Sequence, residues 1–154
     1  DHYMKESELI SAIQDSIVEI TDEEKESLAN GRVERNFTAR FSSRISQKIL
    51  IPSIRVDPFL NKHLGQTKKV LGDVIELDIG IHELNYDRNN LVAIELETTN
   101  NPKYDDIWKI EELTKENGVE GYHYRLGLYL VVGVKEKAGE ILIMNWYRNG
   151  KVIS

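Results

Sequence analysis

Three carboxylates are spaced so that they could hold a cation in common. Asp78 lies where apolar Ile75, Leu77, Ile79 and Ile81 alternate with Glu76, Asp78, Gly80 and His82. Glu95 and Glu97 lie in a second such stretch, in which Val92, Ile94 and Leu96 alternate with Ala93, Glu95 and Glu97. This alternation marks β-strands, and residues two apart on a strand share a face at a separation of about 7 Å. Glu95 and Glu97 therefore project the same way. If the two stretches pair as a hairpin, Asp78 joins them on one side of the sheet. Like charges held so close raise one another's pKa unless a cation intervenes. Hard oxygen ligands in a partly open cluster suit Mg2+ or Mn2+, ions that can polarise a phosphoryl oxygen and help generate hydroxide. Charges also alternate on many strand faces that do no chemistry, so the cluster needs support from the rest of the chain.

The elements that must position these residues can be read in order. Leu9, Ile10, Ile13, Ile17 and Ile20 recur at helical spacing, and Thr21 with Glu24 has the form of a capping box opening a short helix that stops near Asn30-Gly31. A third helix is predicted over 33–49, where Phe37, Phe41, Ile45 and Ile49 step by four as a buried stripe. Arg40, Arg44 and Lys48 form a basic edge on the adjacent stripe, and Glu34 is expected to point with the buried side. Pro52 ends this helix, a short strand follows over 54–57, and 62–72 reads as a polar loop. Asp87-Arg88-Asn89-Asn90 has turn composition and separates the two acidic strands. After Pro102 a helix is predicted over 104–116, with Ile107, Trp108, Ile110 and Leu113 as its apolar side and Asn117-Gly118 as its stop. Strands follow over 124–134 and 140–146, and Arg148-Asn149-Gly150-Lys151 reads as a final turn. Helices, then a hairpin, a crossover helix and more strands predict an α/β fold with a mixed sheet.

At 154 residues the chain has the length of one domain, expected to span 1–154 with 1–31 as an N-terminal helical extension. There is no cysteine, so disulfides, thiolate metal sites and cysteine nucleophiles are excluded. No apolar run approaches the roughly 20 residues that span a bilayer, and the acidic start predicts no secretory signal, so a cytoplasmic location is expected. The net charge of −6 is unevenly spread. Residues 1–30 carry two lysines against nine acids, whereas residues 31–70 carry nine bases against two acids. A basic middle segment could meet phosphates locally although the whole chain is acidic, or it could simply face water. No P-loop glycine pattern, zinc-binding His-Glu-x-x-His or Gly-x-Ser-x-Gly elbow occurs.

The run from Glu76 to Asn101 resembles the PD-(D/E)XK nuclease superfamily, whose motif is an acid on one strand, a hairpin turn, then (D/E)-x-K on the next strand. Asp78 takes the first position and Glu95 the second, and the similarity extends through Val56-Asp57, Asn61, Asp106–Thr114, Tyr124-Arg125-Leu126-Gly127-Leu128 and Trp146–Gly150, roughly residues 32–151. The resemblance implies a restriction-endonuclease-like core, with a mixed central β-sheet flanked by α-helices and N-terminal helices preceding the sheet. It implies Asp78 and Glu95 as metal ligands, with the backbone carbonyl of Leu96 adding an oxygen, and Glu34 where many members carry an extra acid. The chain departs from the pattern at Glu97, which stands where the family usually has lysine. Glu97 could be a third ligand or a base. Alternatively, a lysine from the following helix fills the space, Lys109 first among them, or the site is degenerate.

The expected activity is hydrolysis of DNA phosphodiester bonds with Mg2+ or Mn2+, by Asp78, Glu95, Glu97, Glu34 and Lys109. Arg40, Arg44, Lys48, Lys62, His63, Lys68 and Lys69 are expected to meet the phosphate backbone without reading bases. No membrane partner is expected, and a homodimer or partner subunit is compatible with the sequence. The rival readings are a catalytically degenerate nuclease-fold domain that binds nucleic acid and a protein-interaction domain. His82, Trp108 and Trp146 are expected to be structural.

Overall fold

The computed structural model describes residues 4–31, 34–60, 76–84, 89–116 and 123–154 in full, and the backbone alone of 62–63, 66–67, 69–70 and 73–74. Helices α1 (Glu6–Glu23), α2 (Lys25–Asn30) and α3 (Glu34–Lys48) come first. The main sheet is built from β1 (Ile54–Leu60), β2 (Leu77–Glu83), β3 (Asn90–Thr98), β4 (Tyr124–Val132), β5 (Ile141–Arg148) and β6 (Lys151–Val152), hydrogen-bonded in chain order. Helix α4 (Ile107–Thr114) connects β3 to β4. That is the one parallel pair among the described strands of this sheet, as a helical crossover requires, and every other neighbouring pair is antiparallel. The chain is thus an α/β domain whose mixed sheet is flanked by helices. No helix among the described residues is long and apolar enough to cross a membrane.

Each face of the sheet buries a different set of helices. The stripe Leu9, Ile13, Ile17 and Ile20 of α1 and the stripe Phe37, Phe41 and Ile45 of α3 pack on Ile79, Ile81, Val92, Ile94, Leu96, Leu126, Leu128 and Leu130. On the other face Ile110 and Leu113 of α4 meet Ala93, Tyr124, Tyr129, Val131 and Tyr147. The alternation along β3 expected from sequence is therefore present, with Val92, Ile94 and Leu96 toward α1 and α3 and Ala93 toward α4. Gly127 lets α4 lie directly on β4, because a Cβ there would collide with Ile110 and reach Thr114 Cγ2 at 3.0 Å.

Several expectations need correction. Thr21 opens no helix: its hydroxyl donates back to the Ile17 and Val18 carbonyls, so α1 runs on to Glu23. Glu34 is the exposed first residue of α3 and is not buried with Phe37, although its carboxylate turns to the sheet and accepts from Thr98 N. Leu77 does not share a side with Ile79 and Ile81 but packs with Leu60, Ala93, Leu113 and Tyr124, so the side-chain alternation is broken at the start of β2. The first strand extends to Leu60 through Pro58, which an edge strand tolerates because only one of its sides is paired. The stretch read as a polar loop contains two short antiparallel ladders, Lys62–His63 with Gln66–Thr67 and Lys69–Val70 with Asp73–Val74. Val33, Ile75, Asp87-Arg88 and Asn117-Gly118 lie outside the described residues. The final turn is where it was expected. Asn149 and Gly150, at φ 49° and 79°, form the two-residue loop between paired Arg148 and Lys151, which the twist of a hairpin favours.

Candidate functional site

The antiparallel ladder between β2 and β3 runs from His82↔Asn90 to Ile79↔Ile94. One residue further on, two acidic side chains take over from the backbone. Glu95 Oε2 accepts from the Asp78 amide at 2.8 Å, and Asp78 Oδ2 accepts from the Leu96 amide at 2.7 Å. Each carboxylate thus satisfies an amide that the sheet leaves unpaired at this point, and the reciprocal bonds fix both side chains side by side.

Their electrostatics follow from burial. Glu95 is 1% exposed. Burial, the neighbouring Asp78 charge and the more distant Asp106 push its carboxyl well above the usual range, against the pull of Lys109 and the Asp78 amide. Asp78 is pushed up to about 6, mainly by burial, then by Glu34 and Asp106, with the Leu96 amide and Lys109 acting the other way. Two acids destabilised as anions, on adjoining strands, form a site that a cation would relieve.

Lys109 supplies one positive charge. Its ammonium stands 3.3 Å from Glu95 Oε1, 3.1 Å from Asp106 Oδ1 and 3.4 Å from the Glu76 carbonyl. Burial alone would lower its pKa, but Glu95 and Asp106 outweigh burial and raise it. The helix position that delivers this lysine is set by the close approach of α4 at Gly127 and by the far end of the helix. There Gly150 N donates to Thr114 Oγ1 at 2.9 Å, and Glu116 N donates to Asn149 Oδ1 at 3.2 Å.

Beside the pair opens a cleft of about 310 Å³ lined by Glu34, Asp78, Leu96 and Glu97 and by residues of the segment that leads into α4. Glu34 reaches it from the start of α3, where Glu34 Oε1 accepts from Thr98 N at 2.9 Å and ties helix to strand. Glu97 is already engaged. Its Oε2 accepts from the Tyr129 hydroxyl and its Oε1 from the Lys103 amide at 3.3 Å, anchoring the segment that runs from Thr99 to Asp106. Asn100 anchors the same segment by bonding both backbone groups of Val134, at 2.9 and 3.0 Å. Among the described residues no group of three or more His, Asp or Glu side chains is arranged as a formed metal site. The oxygens of Asp78, Glu95 and Leu96 are nonetheless the hard donors that Mg2+ or Mn2+ takes.

The structure brings Asp78, Glu95, Leu96, Glu34, Glu97 and Lys109 together. The α3 basic edge faces elsewhere. Arg44 pairs with Glu19 at 3.1 Å and with Glu23, Lys48 pairs with Glu19 at 2.8 Å, and Arg40 pairs with Glu24. Arg40, Arg44 and Lys48 are thus neutralised by Glu19, Glu23 and Glu24 of the acidic N-terminal stretch. Lys68 and the side chains of Lys62, His63 and Lys69 lie outside the described residues. His82 is buried, with Nε2 2.7 Å from Asp57 Oδ2. Trp146 is buried in the core, and Trp108 packs against the α4-side cluster, as expected of structural residues. Sequence reasoning missed Asp106, Tyr129 and Asn100. The available signal for Asp106 was its place three residues before Lys109 at a helix start; nothing in the sequence links Tyr129 to Glu97.

Fold and site together define an α/β domain with a buried acidic pair where two neighbouring strands exchange backbone pairing for side-chain pairing. No family model, curated protein or solved structure matches the chain. The functional reading therefore rests on this geometry.

Proposed function

We propose that the chain is a divalent-metal-dependent endonuclease of restriction-endonuclease-like fold that hydrolyses phosphodiester bonds of DNA in the cytoplasm. The observation that carries this reading is the reciprocal pinning of Asp78 and Glu95, which keeps the buried Glu95 carboxylate beside Asp78 where Asp78 lines an open cleft. Asp78, Glu95 and the Leu96 carbonyl would hold Mg2+ or Mn2+, with Glu34 beside them. When bound, such an ion stabilises charge on a phosphoryl oxygen and acidifies a water.

The remaining roles belong to the chain itself. Lys109, held between Glu95 and Asp106, stands closest to the acidic pair and can steady negative charge developing at phosphorus. Asp106 aims it. Glu97 anchors the Thr99–Asp106 segment through its bonds to the Lys103 amide and the Tyr129 hydroxyl. A lysine delivered by α4 thus supplies the charge that the position of Glu97 lacks.

The test uses supercoiled plasmid and single-stranded DNA with Mg2+ or Mn2+, alongside Asp78→Asn and Glu95→Gln. Cutting by the wild type, lost in both variants and with chelator, is expected. Salt-sensitive binding without cutting would leave the degenerate binding module as the better reading, since phosphate contacts release counterions. If the protein neither binds nor cuts DNA, both readings fall.

A further inference from the structure

With the cationic edge of α3 committed to α1 and to Glu24 just after it, the positive charges free to meet a polyanion lie elsewhere. Two exposed bases, one lining the acidic cleft and one next in sequence to a residue that lines it, have no carboxylate within ion-pair distance among the described residues. Lys103 lines the cleft itself, and its backbone amide is fixed by Glu97. Arg35 is the chain neighbour of Glu34, which also lines the cleft and is bonded to Thr98.

A second, independent observation also brings Arg35 to this rim. Its guanidinium lies over the ring of Phe59, 3.8 Å from the centroid. Phe59 falls between the register pairs Pro58↔Ile79 and Leu60↔Leu77, beside Asp78 on the neighbouring strand. The cation–π contact holds the guanidinium in place without neutralising it, so its donors remain available to an anion. Phe59 adopts φ 55°, and Tyr104, next to Lys103, adopts φ 62°. Aromatic side chains rarely occupy this left-handed region, and such strain collects at ligand-holding segments. Arg35 and Lys103 thus each stand beside an aromatic residue of positive φ, Arg35 against Phe59 and Lys103 next to Tyr104 in the chain.

We infer that Arg35 and Lys103, and not the Arg40–Arg44–Lys48 edge, hold the phosphate backbone of DNA across the acidic cleft. The two bases offset the repulsion that Glu34, Asp78, Glu97, Asp105 and Asp106 exert on an incoming phosphodiester. This inference rests on the nuclease reading and names the surface through which that site takes its substrate.

The experiment is fluorescence anisotropy with labelled duplex and single-stranded oligonucleotides in Ca2+, as a function of salt. It compares wild type, Arg35→Gln/Lys103→Gln and Arg44→Gln/Lys48→Gln, with circular dichroism to check that each variant folds. The Arg35/Lys103 variant is expected to lose at least about tenfold in affinity and about two units of salt slope, one per phosphate contact, whereas the Arg44/Lys48 variant stays within about twofold of wild type. If wild type binds and cuts DNA but the Arg35/Lys103 variant binds equally well, the inference is wrong and the nuclease reading stands. If the Arg44/Lys48 variant carries the loss instead, the inference is likewise wrong. If the folded wild type binds no DNA, both fail.

Discussion

Replacing a candidate ligand is expected to make this protein more stable. Asp78→Asn retains an oxygen that can accept from the Leu96 amide but removes a charge that the fold disfavours. The Asp78 carboxyl titrates near 6 in the folded state against 3.8 ordinarily. At about 1.4 kcal/mol per unit, its ionisation costs the folded state up to about 3 kcal/mol at pH 8. The sign follows from proton binding. Between pH 4 and 6 the folded chain holds the Asp78 proton that the unfolded chain has released, so the contribution of Asp78 to wild-type stability falls as pH rises through this window and levels off above it. Glu95, raised further by burial and by Asp78, acts in the same direction. In urea titrations without divalent ions, Asp78→Asn should match wild type near pH 3.5 and exceed it by up to about 3 kcal/mol at pH 8. For a domain of this size that corresponds to a rise of about 6–12 °C in Tm. A variant that is destabilised at pH 8, or whose difference from wild type is independent of pH, would refute the reasoning.

Three other substitutions test the supports around the pair. Lys109→Met leaves Glu95 buried without its cation and should cost about 2–4 kcal/mol at pH 8 but less at pH 5, as measured by chemical denaturation. Gly127→Ala places a methyl group against Ile110 and should cost about 1–3 kcal/mol while shifting α4, seen as a lower melting temperature and altered amide shifts at Lys109. Tyr129→Phe removes the hydroxyl that donates to Glu97 and should cost about 1 kcal/mol, with faster amide exchange at Lys103 and little change at Ile94.

How much of this was legible in the sequence depended on the range of the signal. Periodicity along one element reports which side is buried, so the stripes of α1 and α3 and the alternation of β3 could be read directly. Two-residue hairpin chemistry is equally local, and Asn149-Gly150 could be placed for that reason. Thr21 was misleading because a hydroxyl can bond backward into a helix as readily as it caps one, and only the continuation of α1 decides between them. Leu77 departs from its pattern because Leu60 and α4 offer it a pocket on the other face, a tertiary preference that alternation cannot encode. At the site, the opposition of Asp78 and Glu95 follows from strand phase. The partners of Glu97 and the inward reach of Lys109 depend on contacts between residues far apart in sequence, such as Tyr129 with Glu97.

The docking of the last hairpin onto the end of α4 has a practical consequence. Asn149 and Gly150 hold Glu116 and Thr114, and Thr114 Oγ1 donates to the Ile110 carbonyl one turn back, next to Lys109. The hairpin therefore acts as a doorstop for the helix that carries the site's ammonium group. Shortening the chain before Asn149, or splinting the hairpin with a bulky fusion, would let that helix swing, displacing Lys109 some forty residues upstream while leaving Asp78 and Glu95 on their strands.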